Sequence, residues 1–260
     1  MPPRDSWQGT FVVALVLCLA CSALVSTASV VLRPTQEANA ALDKKKNVLL
    51  AAGLADPATS GDEVQATFEE SIVKRLIDLE TGKPLSEEDA AEAGIDPEAY
   101  DPMKAVNDPA LRVKVTPAGS LMGSTHREPY AEAYEIVKDG QTDGYILPIY
   151  GMGLWGKLYG FIAVEGDGDT VRGITYYKHK ETPGLGGEVD NPGWKALWPG
   201  KKIYEQPGEV GLGVIKGSAA ADDEYAIDGL SGATITSKGV DNMVKYWLGE
   251  DGFGPYLAKN

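Results

Sequence analysis

A threonine near the C-terminal end of the chain has neighbours that suit it to chemical modification. Thr234 follows Ser231, Gly232 and Ala233, whose small side chains leave its hydroxyl accessible to a modifying enzyme. A hydroxyl oxygen can form a phosphoester, so Thr234 is a candidate for carrying a group linked through phosphate. No residue is predicted to be catalytic by itself, because the chemistry would belong to the attached group.

A helix is predicted just after this run. Apolar residues recur there at helical spacing and end at a natural glycine stop; they are Val240, Met243, Val244, Trp247, Leu248 and then Gly249. We expect the helix to begin near residue 237, capped by Thr236 or Ser237, so Thr234 would lie just outside its N-terminus. Free N–H groups and the positive end of the helix dipole favour an anion there. The alternative is a turn whose hydroxyls only satisfy backbone groups.

A second candidate binding segment is the loop at residues 179–186, which directly follows a predicted strand. Pro183 and the nearby glycines enforce irregular structure, so backbone groups are exposed and a flat ligand can approach closely. His179 begins this loop, and a loop histidine of this kind is more often structural than catalytic. Such a loop alone is weak evidence for a ligand site, but together with the run around Thr234 it becomes strong evidence.

The segments from residue 131 onward predict a twisted antiparallel sheet. Strand-forming residues flank the turn at Asp139 and Gly140, and others flank a second turn at residues 166–169. Two hairpins are therefore expected. With helices at the flanks of the sheet, the fold class is α+β.

Two motifs in the sheet region are discounted. Residues 151–156 have the spacing of a dinucleotide-binding loop, but a strand follows them, so no helix N-terminus is available for a pyrophosphate. Residues 165–169 look like part of a calcium loop, but its glycine and its closing glutamate are missing. A hairpin turn explains the second motif.

The N-terminal segment is long and apolar enough to cross a membrane. No charge occurs between Asp5 and Arg33, and a span at residues 10–32 exceeds the ~20 residues that cross a hydrocarbon core. A cleaved signal peptide is the alternative, with small residues at 26–28 as the cleavage site. The apolar run continues to residue 32, which favours an uncleaved anchor.

Between the anchor and residue 131 we expect helical and irregular structure. A short helix is predicted at residues 40–53 and a second over residues 62–79, while the acidic, proline-interrupted residues 86–109 form a surface excursion with at most a short helix. The predicted organisation is a tail at 1–9, a transmembrane helix at 10–32, a helical and irregular part at 33–130 and a domain at 131–260.

Composition excludes several classes of protein. A net charge of −14 without a basic stripe argues against binding of nucleic acid. Cys18 and Cys21 are the only cysteines and lie in the apolar span, so no disulfide framework is expected beyond it. With only His126 and His179 besides, no Cys/His metal site is expected either. Any redox carrier must therefore be organic.

The run at residues 228–237 resembles the flavinylation motif of subunits with covalent FMN, in which a threonine hydroxyl forms a phosphoester with FMN. Together with the anchor, residues 44–49, residues 147–151 and the loop at 179–186, it makes nearly the whole chain similar to the NqrC family, the covalent-FMN subunits of the Na+-translocating NADH:quinone reductases. The RnfG flavoproteins of the Rnf complex share the two flavin motifs and are the related alternative. The extent of the resemblance favours the Na+-pump family.

The resemblance implies covalent FMN on Thr234, with Ser231, Gly232 and Ala233 in the attachment motif. It also implies that six further residues contact the flavin. These are Trp155, Glu181, Thr182, Gly184, Leu185 and Lys216. An aromatic or aliphatic face packs on such a ring, and a cation near its pyrimidine end stabilises negative charge on the reduced ring.

The function implied by the resemblance is a one-electron relay in a Na+-pumping NADH:quinone oxidoreductase of the bacterial inner membrane. The chain would be one subunit, incomplete as an enzyme alone. Its partners would be the other subunits, a flavin transferase and the lipid around one helix. The lysines at residues 44–46 would keep the domain cytoplasmic by the positive-inside rule, but large domains cross membranes largely regardless of such charges, and the resemblance implies the periplasmic side.

Two alternatives from other classes of protein remain at this stage. One is a membrane-anchored module that binds flavin without a covalent bond. The other is a membrane-anchored binding or scaffolding protein without flavin.

Overall fold

The computed structural model describes residues 6–97, 99–115 and 122–259. The chain forms two compact units, one ending at Asp43 and one beginning at Lys44. The second unit contains a six-stranded sheet and all of the candidate site residues.

The chain contains seven α-helices and twelve strands within the described residues. The helices are α1 (Trp7–Ala51), α2 (Gly61–Ser71), α3 (Glu87–Glu92), α4 (Pro102–Ala105), α5 (Pro192–Lys195), α6 (Thr234–Trp247) and α7 (Gly254–Leu257), with a 3-10 helix at Gly186–Asp190. The strands are β1 (Ile72–Asp78), β2 (Lys83–Pro84), β3 (Val113–Lys114), β4 (His126–Arg127), β5 (Tyr130–Lys138), β6 (Gln141–Met152), β7 (Lys157–Glu165), β8 (Val171–Lys178), β9 (Tyr204–Gln206), β10 (Glu209–Val210), β11 (Gly213–Val214) and β12 (Ala226–Ile227).

The main sheet has the strand order β2-β1-β5-β6-β7-β8, and neighbouring strands in it are antiparallel. The turn between β5 and β6 has positive φ at Asp139 (52°) and Gly140 (76°), the backbone that a two-residue hairpin requires. β7 and β8 form the second predicted hairpin. The α+β fold class with an antiparallel sheet is confirmed.

The segment at residues 62–79 departs from the prediction of one helix. α2 begins with a capping box between Ser60 and Glu63, but it ends at Ser71, and the following residues form β1. The apolar residues of this segment fit a strand as well as a helix, and pairing with β5 from Ile72 to Asp78 decides in favour of the strand. The part at 33–130, predicted to be helical and irregular, therefore supplies an inner strand of the main sheet.

The N-terminal helix is longer than predicted. α1 runs from Trp7 to Ala51 and contains Pro34, whereas the sequence predicted a span at 10–32 and a separate helix at 40–53. Proline lacks the N–H for one backbone hydrogen bond, and α1 continues past it in both directions. α1 is long and apolar enough to cross a membrane.

Three lysines at the end of α1 have structural partners in the second unit. Lys44 forms an ion pair with Glu132, and Lys45 donates to the side-chain oxygen of Gln65 at 2.7 Å. Lys46 donates to the carbonyl of Pro57 at 2.8 Å. These contacts give the lysines a role that does not depend on membrane orientation.

We expect a protein that begins at Arg33 to be soluble and to fold, because the sheet and its core lie entirely beyond the apolar part of α1. Size-exclusion chromatography of this shortened protein in buffer without detergent measures the outcome. A shortened protein that precipitates unless detergent is present would contradict the prediction.

Tyr150 and Trp247 join the sheet to α6 in the core. α6 packs against β6, and the indole Nε1 of Trp247 donates to the carbonyl of Tyr150 at 2.7 Å. The two rings lie 4.8 Å apart between centroids. Because both residues are buried, this contact fixes the position of the C-terminal end of α6 on the sheet.

A buried carboxyl group lies beside this contact. Glu128 is 3% exposed, and its Oε2 accepts a hydrogen bond of 2.7 Å from the hydroxyl of Tyr150. Burial raises the pKa of Glu128 to about 7, because the charged form is poorly solvated there. The hydrogen bond from Tyr150 opposes that shift without cancelling it.

This raised pKa predicts a pH-dependent stability. In the unfolded chain the carboxyl titrates near its ordinary value of 4.5, so protonation favours the folded state, and that stabilisation is lost as the pH rises through about 7. Replacement of Glu128 by Gln keeps the side chain neutral throughout. The free energy of unfolding of the variant minus that of the parent protein should therefore increase with pH. Between about pH 5 and pH 8 we expect this difference to rise by up to about 3 kcal/mol.

Urea unfolding of both proteins at the two pH values measures this difference. A difference in unfolding free energy that is the same at both pH values would contradict the prediction, because it would show that Glu128 keeps one protonation state throughout.

Candidate functional site

Thr234 is the first residue of α6, and its side chain is exposed. Ala233 before it has the non-helical conformation of a cap, with φ −128° and ψ 49°, and no side chain caps this helix end. Gly232 turns the chain just before the helix with a φ of 72°, which favours glycine. The predicted start near residue 237 is wrong by about one turn, and Thr234 lies in the first turn rather than outside the helix.

The two hydroxyls predicted to cap α6 are used elsewhere. Thr236 is 1% exposed and donates to Oε2 of Glu181 at 2.6 Å. Ser237 is 5% exposed; its hydroxyl donates to the carbonyl of Ala233 at 3.1 Å and accepts the N–H of Leu230 at 2.9 Å. Both oxygens are buried and bonded, so neither is accessible to an enzyme.

Ser231 and Thr234 are the exposed hydroxyl residues of the run. Of the two, Thr234 lies where the first N–H groups of α6 have no partner within the helix. A phosphate attached there would be stabilised by these groups and by the helix dipole.

A pocket of about 600 Å³ opens beside Thr234. Lys216 and Lys238 line it, which places two cations near the N-terminus of α6. Asp241 also lines the pocket, but its Oδ1 accepts the N–H of Val214 at 3.1 Å. Lys238 was not among the predicted site residues. It lies four residues after Thr234 on the same helical face, a spacing that is informative only once the start of the helix is known.

The residues before Thr234 are held to a neighbouring segment. The carbonyl of Asp228 accepts the indole N–H of Trp194 at 2.8 Å, and its Oδ1 accepts the N–H of Ala219 at 2.8 Å. Gly229 donates its N–H to the carbonyl of Gly217 at 2.8 Å. These bonds bring the segment that contains Lys216 to the wall of the same pocket.

Glu181 connects the loop at 179–186 to two other parts of the site. It is 6% exposed, and its Oε1 accepts the main-chain N–H of Trp155 at 2.9 Å. Its Oε2 accepts the hydroxyl of Thr236 in α6. A Cβ on Gly186 would lie 2.4 Å from this oxygen, so glycine is required for the loop to close over the carboxylate. The predicted contact of Glu181 with a flavin stays a prediction.

The side chain of His179 is hydrogen-bonded to the main chain of Glu181. Its Nδ1 accepts the main-chain N–H of Glu181 at 3.2 Å, so the proton is on Nε2, which lies 2.7 Å from Oδ2 of Asp190. Both ring nitrogens have protein partners. This arrangement agrees with the structural role expected from the sequence.

Three segments of the site carry exposed apolar side chains. Trp155 is 65% exposed, Leu185 is 45% exposed, and Ile235 is 60% exposed. Leu185 lies against Gly232, where an added Cβ would be 3.1 Å from Cδ2 of the leucine. Such flat and aliphatic surfaces suit the face of an aromatic ring.

The loop between Glu181 and the 3-10 helix presents backbone rather than long side chains. The carbonyl of Thr182 accepts the N–H groups of Leu185 at 3.1 Å and Gly187 at 2.9 Å. Gly184 has a φ of 77° at the tip of this turn and is exposed. The loop therefore has the irregular form that its proline and glycines predict.

Replacement of Glu181 by Ala should lower the free energy of unfolding by about 2–4 kcal/mol, because it leaves the buried hydroxyl of Thr236 and the N–H of Trp155 without an acceptor. Chemical denaturation measures the change. Replacement of the exposed Thr182 by Ala is the matched control in the same loop and should change the unfolding free energy by less than about 0.5 kcal/mol. Equal effects of the two substitutions would contradict this assignment.

Comparison with known proteins identifies the domain that contains this site. Residues 153–249, from the Trp155 turn to the end of α6, match the FMN-binding domain family. The protein is therefore a flavoprotein in class, with an FMN-binding domain built on an antiparallel sheet.

Relatives and solved structures define the family more narrowly. The C subunit of the Na(+)-translocating NADH-quinone reductase of Pseudomonas aeruginosa is 47% identical over 261 residues, covering 99% of this chain and 97% of that protein. Its counterpart in Yersinia pestis is 45% identical, covering 98% and 94%. The crystal structure of Shewanella oneidensis NqrC superposes with a TM-score of 0.74 at 30% identity, covering 84% of this chain and 96% of that one. The chain belongs to the NqrC family of Na+-translocating NADH-quinone reductase subunits, which confirms the resemblance found in its sequence.

Proposed function

We propose that this chain relays electrons in a Na+-translocating NADH-quinone reductase through FMN joined to Thr234 by a phosphoester. The observation that carries the proposal is the exposed hydroxyl of Thr234 at the start of α6, beside a pocket that holds two lysines. The buried hydroxyls of Thr236 and Ser237 support it, because each already has a protein partner.

The residues present fit FMN. The N–H groups at the start of α6 with Lys216 and Lys238 would hold the phosphate, while Trp155 and Leu185 offer surfaces for the ring. Bound FMN supplies reversible uptake of electrons, and the protein supplies its orientation and electrostatic environment. The backbone of Thr182 and Gly184 would border the polar edge of the ring, and Ser231, Gly232 and Ala233 would present Thr234 to the transferase.

The proposal extends to partners and location. The other subunits of the reductase would exchange electrons with this chain, a flavin transferase would attach FMN, and α1 would contact lipid. We place the domain after α1 on the periplasmic side of the inner membrane, as the resemblance implies. Protease added to spheroplasts with an intact inner membrane should then digest this domain, and complete protection would place it in the cytoplasm.

Denaturing gel electrophoresis under ultraviolet light tests the covalent bond. The protein, made together with its flavin transferase, should give a fluorescent band after full denaturation. A yellow protein whose gel band is dark would be a module that binds flavin without a covalent bond. A colourless protein would contradict both the flavin and the relay.

A further inference from the structure

The chain contains a buried tyrosine bonded to a buried carboxyl group. Tyr150 is 3% exposed, and its hydroxyl donates to Oε2 of Glu128 at 2.7 Å. Glu128 lies between β4 and β5, and Tyr150 lies in β6. Neither residue belongs to the flavin site proposed above, so this pair calls for a separate explanation.

Two other tyrosines in the described part of the chain donate to glutamates. The pairs are Tyr134 with Glu132 at 2.8 Å and Tyr256 with Glu135 at 3.1 Å. They differ from the Tyr150 pair in the charge that surrounds the carboxylate, which makes them internal controls.

The carboxylates of the two control pairs are ion-paired. Glu132 is bound by Lys44, and Glu135 lies 3.3 Å from the guanidinium of Arg75. Uptake of a proton by either carboxylate would leave its cation without an anionic partner. Glu128 forms no ion pair within the described residues.

The cations nearest Glu128 do not contact its carboxylate. Arg127 donates to the main-chain carbonyl of Glu128 at 2.7 Å. The ammonium of Lys157 lies 5.0 Å from the centre of the Tyr150 ring. Glu128 still has its pKa raised to about 7 by burial, so it binds a proton more readily than an ordinary glutamate.

Tyr150 is also part of a series of aromatic rings that leads from the core to the surface. Its ring lies 4.8 Å from that of Trp247 and 5.9 Å from that of Tyr159, and Tyr159 lies 6.3 Å from Tyr177. Tyr159 and Tyr177 are partly exposed, and with Glu128 they line a cavity of about 330 Å³. Electrons can therefore pass between Tyr150 and the surface through rings in contact.

Loss of an electron from a buried phenol is costly because it leaves a positive charge in a medium of low polarity. The cost falls when the phenolic proton moves to a base at the same moment, since the ring then stays neutral. A base must already be hydrogen-bonded to the hydroxyl, and no cation may contact its carboxylate. Glu128 meets both conditions, whereas Glu132 and Glu135 meet only the first.

We propose that Tyr150 and Glu128 form a proton-coupled oxidation site that supplies an electron to oxidising radicals at the protein surface. In this step Tyr150 loses one electron and its O–H bond breaks, while an O–H bond forms on Glu128. The electron reduces a peroxyl radical at the surface, which takes a proton from water and becomes a hydroperoxide, leaving a hydroxide ion in the solvent and the neutral tyrosyl radical on Tyr150. Tyr159 and Tyr177 conduct the electron outward, and Trp247 extends the site into the core.

Hexachloroiridate(IV), a one-electron oxidant, tests the site in the full-length flavin-loaded protein in detergent. The tyrosyl radical is trapped by rapid freezing and measured by electron paramagnetic resonance, in ordinary and in heavy water. We expect replacement of Tyr150 by Phe to lower the early radical signal at least about fivefold, equivalent to about 1 kcal/mol in the barrier. Replacement of Tyr134 or Tyr256 by Phe should leave the signal within about twofold.

Replacement of Glu128 by Gln separates proton transfer from packing. Glutamine preserves the shape and an acceptor oxygen but cannot take the proton, so the signal should fall as in the Tyr150 variant and the slower formation in heavy water should disappear. Circular dichroism checks that each variant is folded. An unchanged signal in the Tyr150 variant, an equal fall in the Tyr134 variant, or a heavy-water effect that persists in the Glu128 variant would each overturn the proposal.

Discussion

Replacement of Thr234 by Ala should abolish covalent attachment of flavin and leave the fold intact. The side chain is exposed at the first position of α6 and does not cap the helix, so the substitution removes the nucleophile without removing a structural contact. Mass spectrometry of the peptide that contains residues 231–237 measures the attachment. Circular dichroism of the same sample measures the fold.

Ser231 provides the matched control for this experiment. Its hydroxyl is also exposed, and it lies three residues earlier in the same run. In a variant with Ser231 replaced by Ala, all of the FMN that is attached should lie on Thr234. Detection of FMN on Ser231 or Thr236 in the Thr234 variant would move the attachment site and refute the assignment.

The same substitution should stop electron flow from NADH to quinone in the assembled complex. If the FMN on this chain connects two other electron carriers, its loss interrupts the only route between them. NADH oxidation by an artificial acceptor at the upstream subunit should continue, because that reaction precedes the interruption. Quinone reduction and sodium uptake by membrane vesicles measure electron transfer beyond the FMN of this chain.

Copurification of the other subunits with the Thr234 variant controls for faults of assembly. Normal quinone reduction and normal sodium transport in the Thr234 variant would show that this chain is an accessory flavoprotein. Loss of NADH oxidation as well would indicate a defect of assembly rather than a broken relay.

Features that depend on near neighbours in sequence could be predicted without a structure. The hairpin at Asp139 and Gly140 is such a case, since a two-residue turn with positive φ is specified by the residues that form it. The fold class followed from the hairpins. The family could be predicted from the run at residues 228–237 together with the loop at residues 179–186.

Features that depend on distant partners could not be predicted in this way. Residues 72–78 have an apolar pattern compatible with a helix, and their strand conformation comes from pairing with β5, almost 60 residues later. The start of α6 was misplaced for the same reason: Thr236 is hydrogen-bonded to Glu181, 55 positions away, and not to its own helix end.

The unequal accessibility of hydroxyls around Thr234 bears on the order of events in the life of the protein. An enzyme that met the unfolded chain would find Ser231, Thr234, Thr236 and Ser237 equally open to attack. In the folded chain two of them are already closed to it. If a transferase modifies Thr234, as proposed, an enzyme that acts on the folded chain therefore has fewer competing hydroxyls to exclude than one that acts during synthesis.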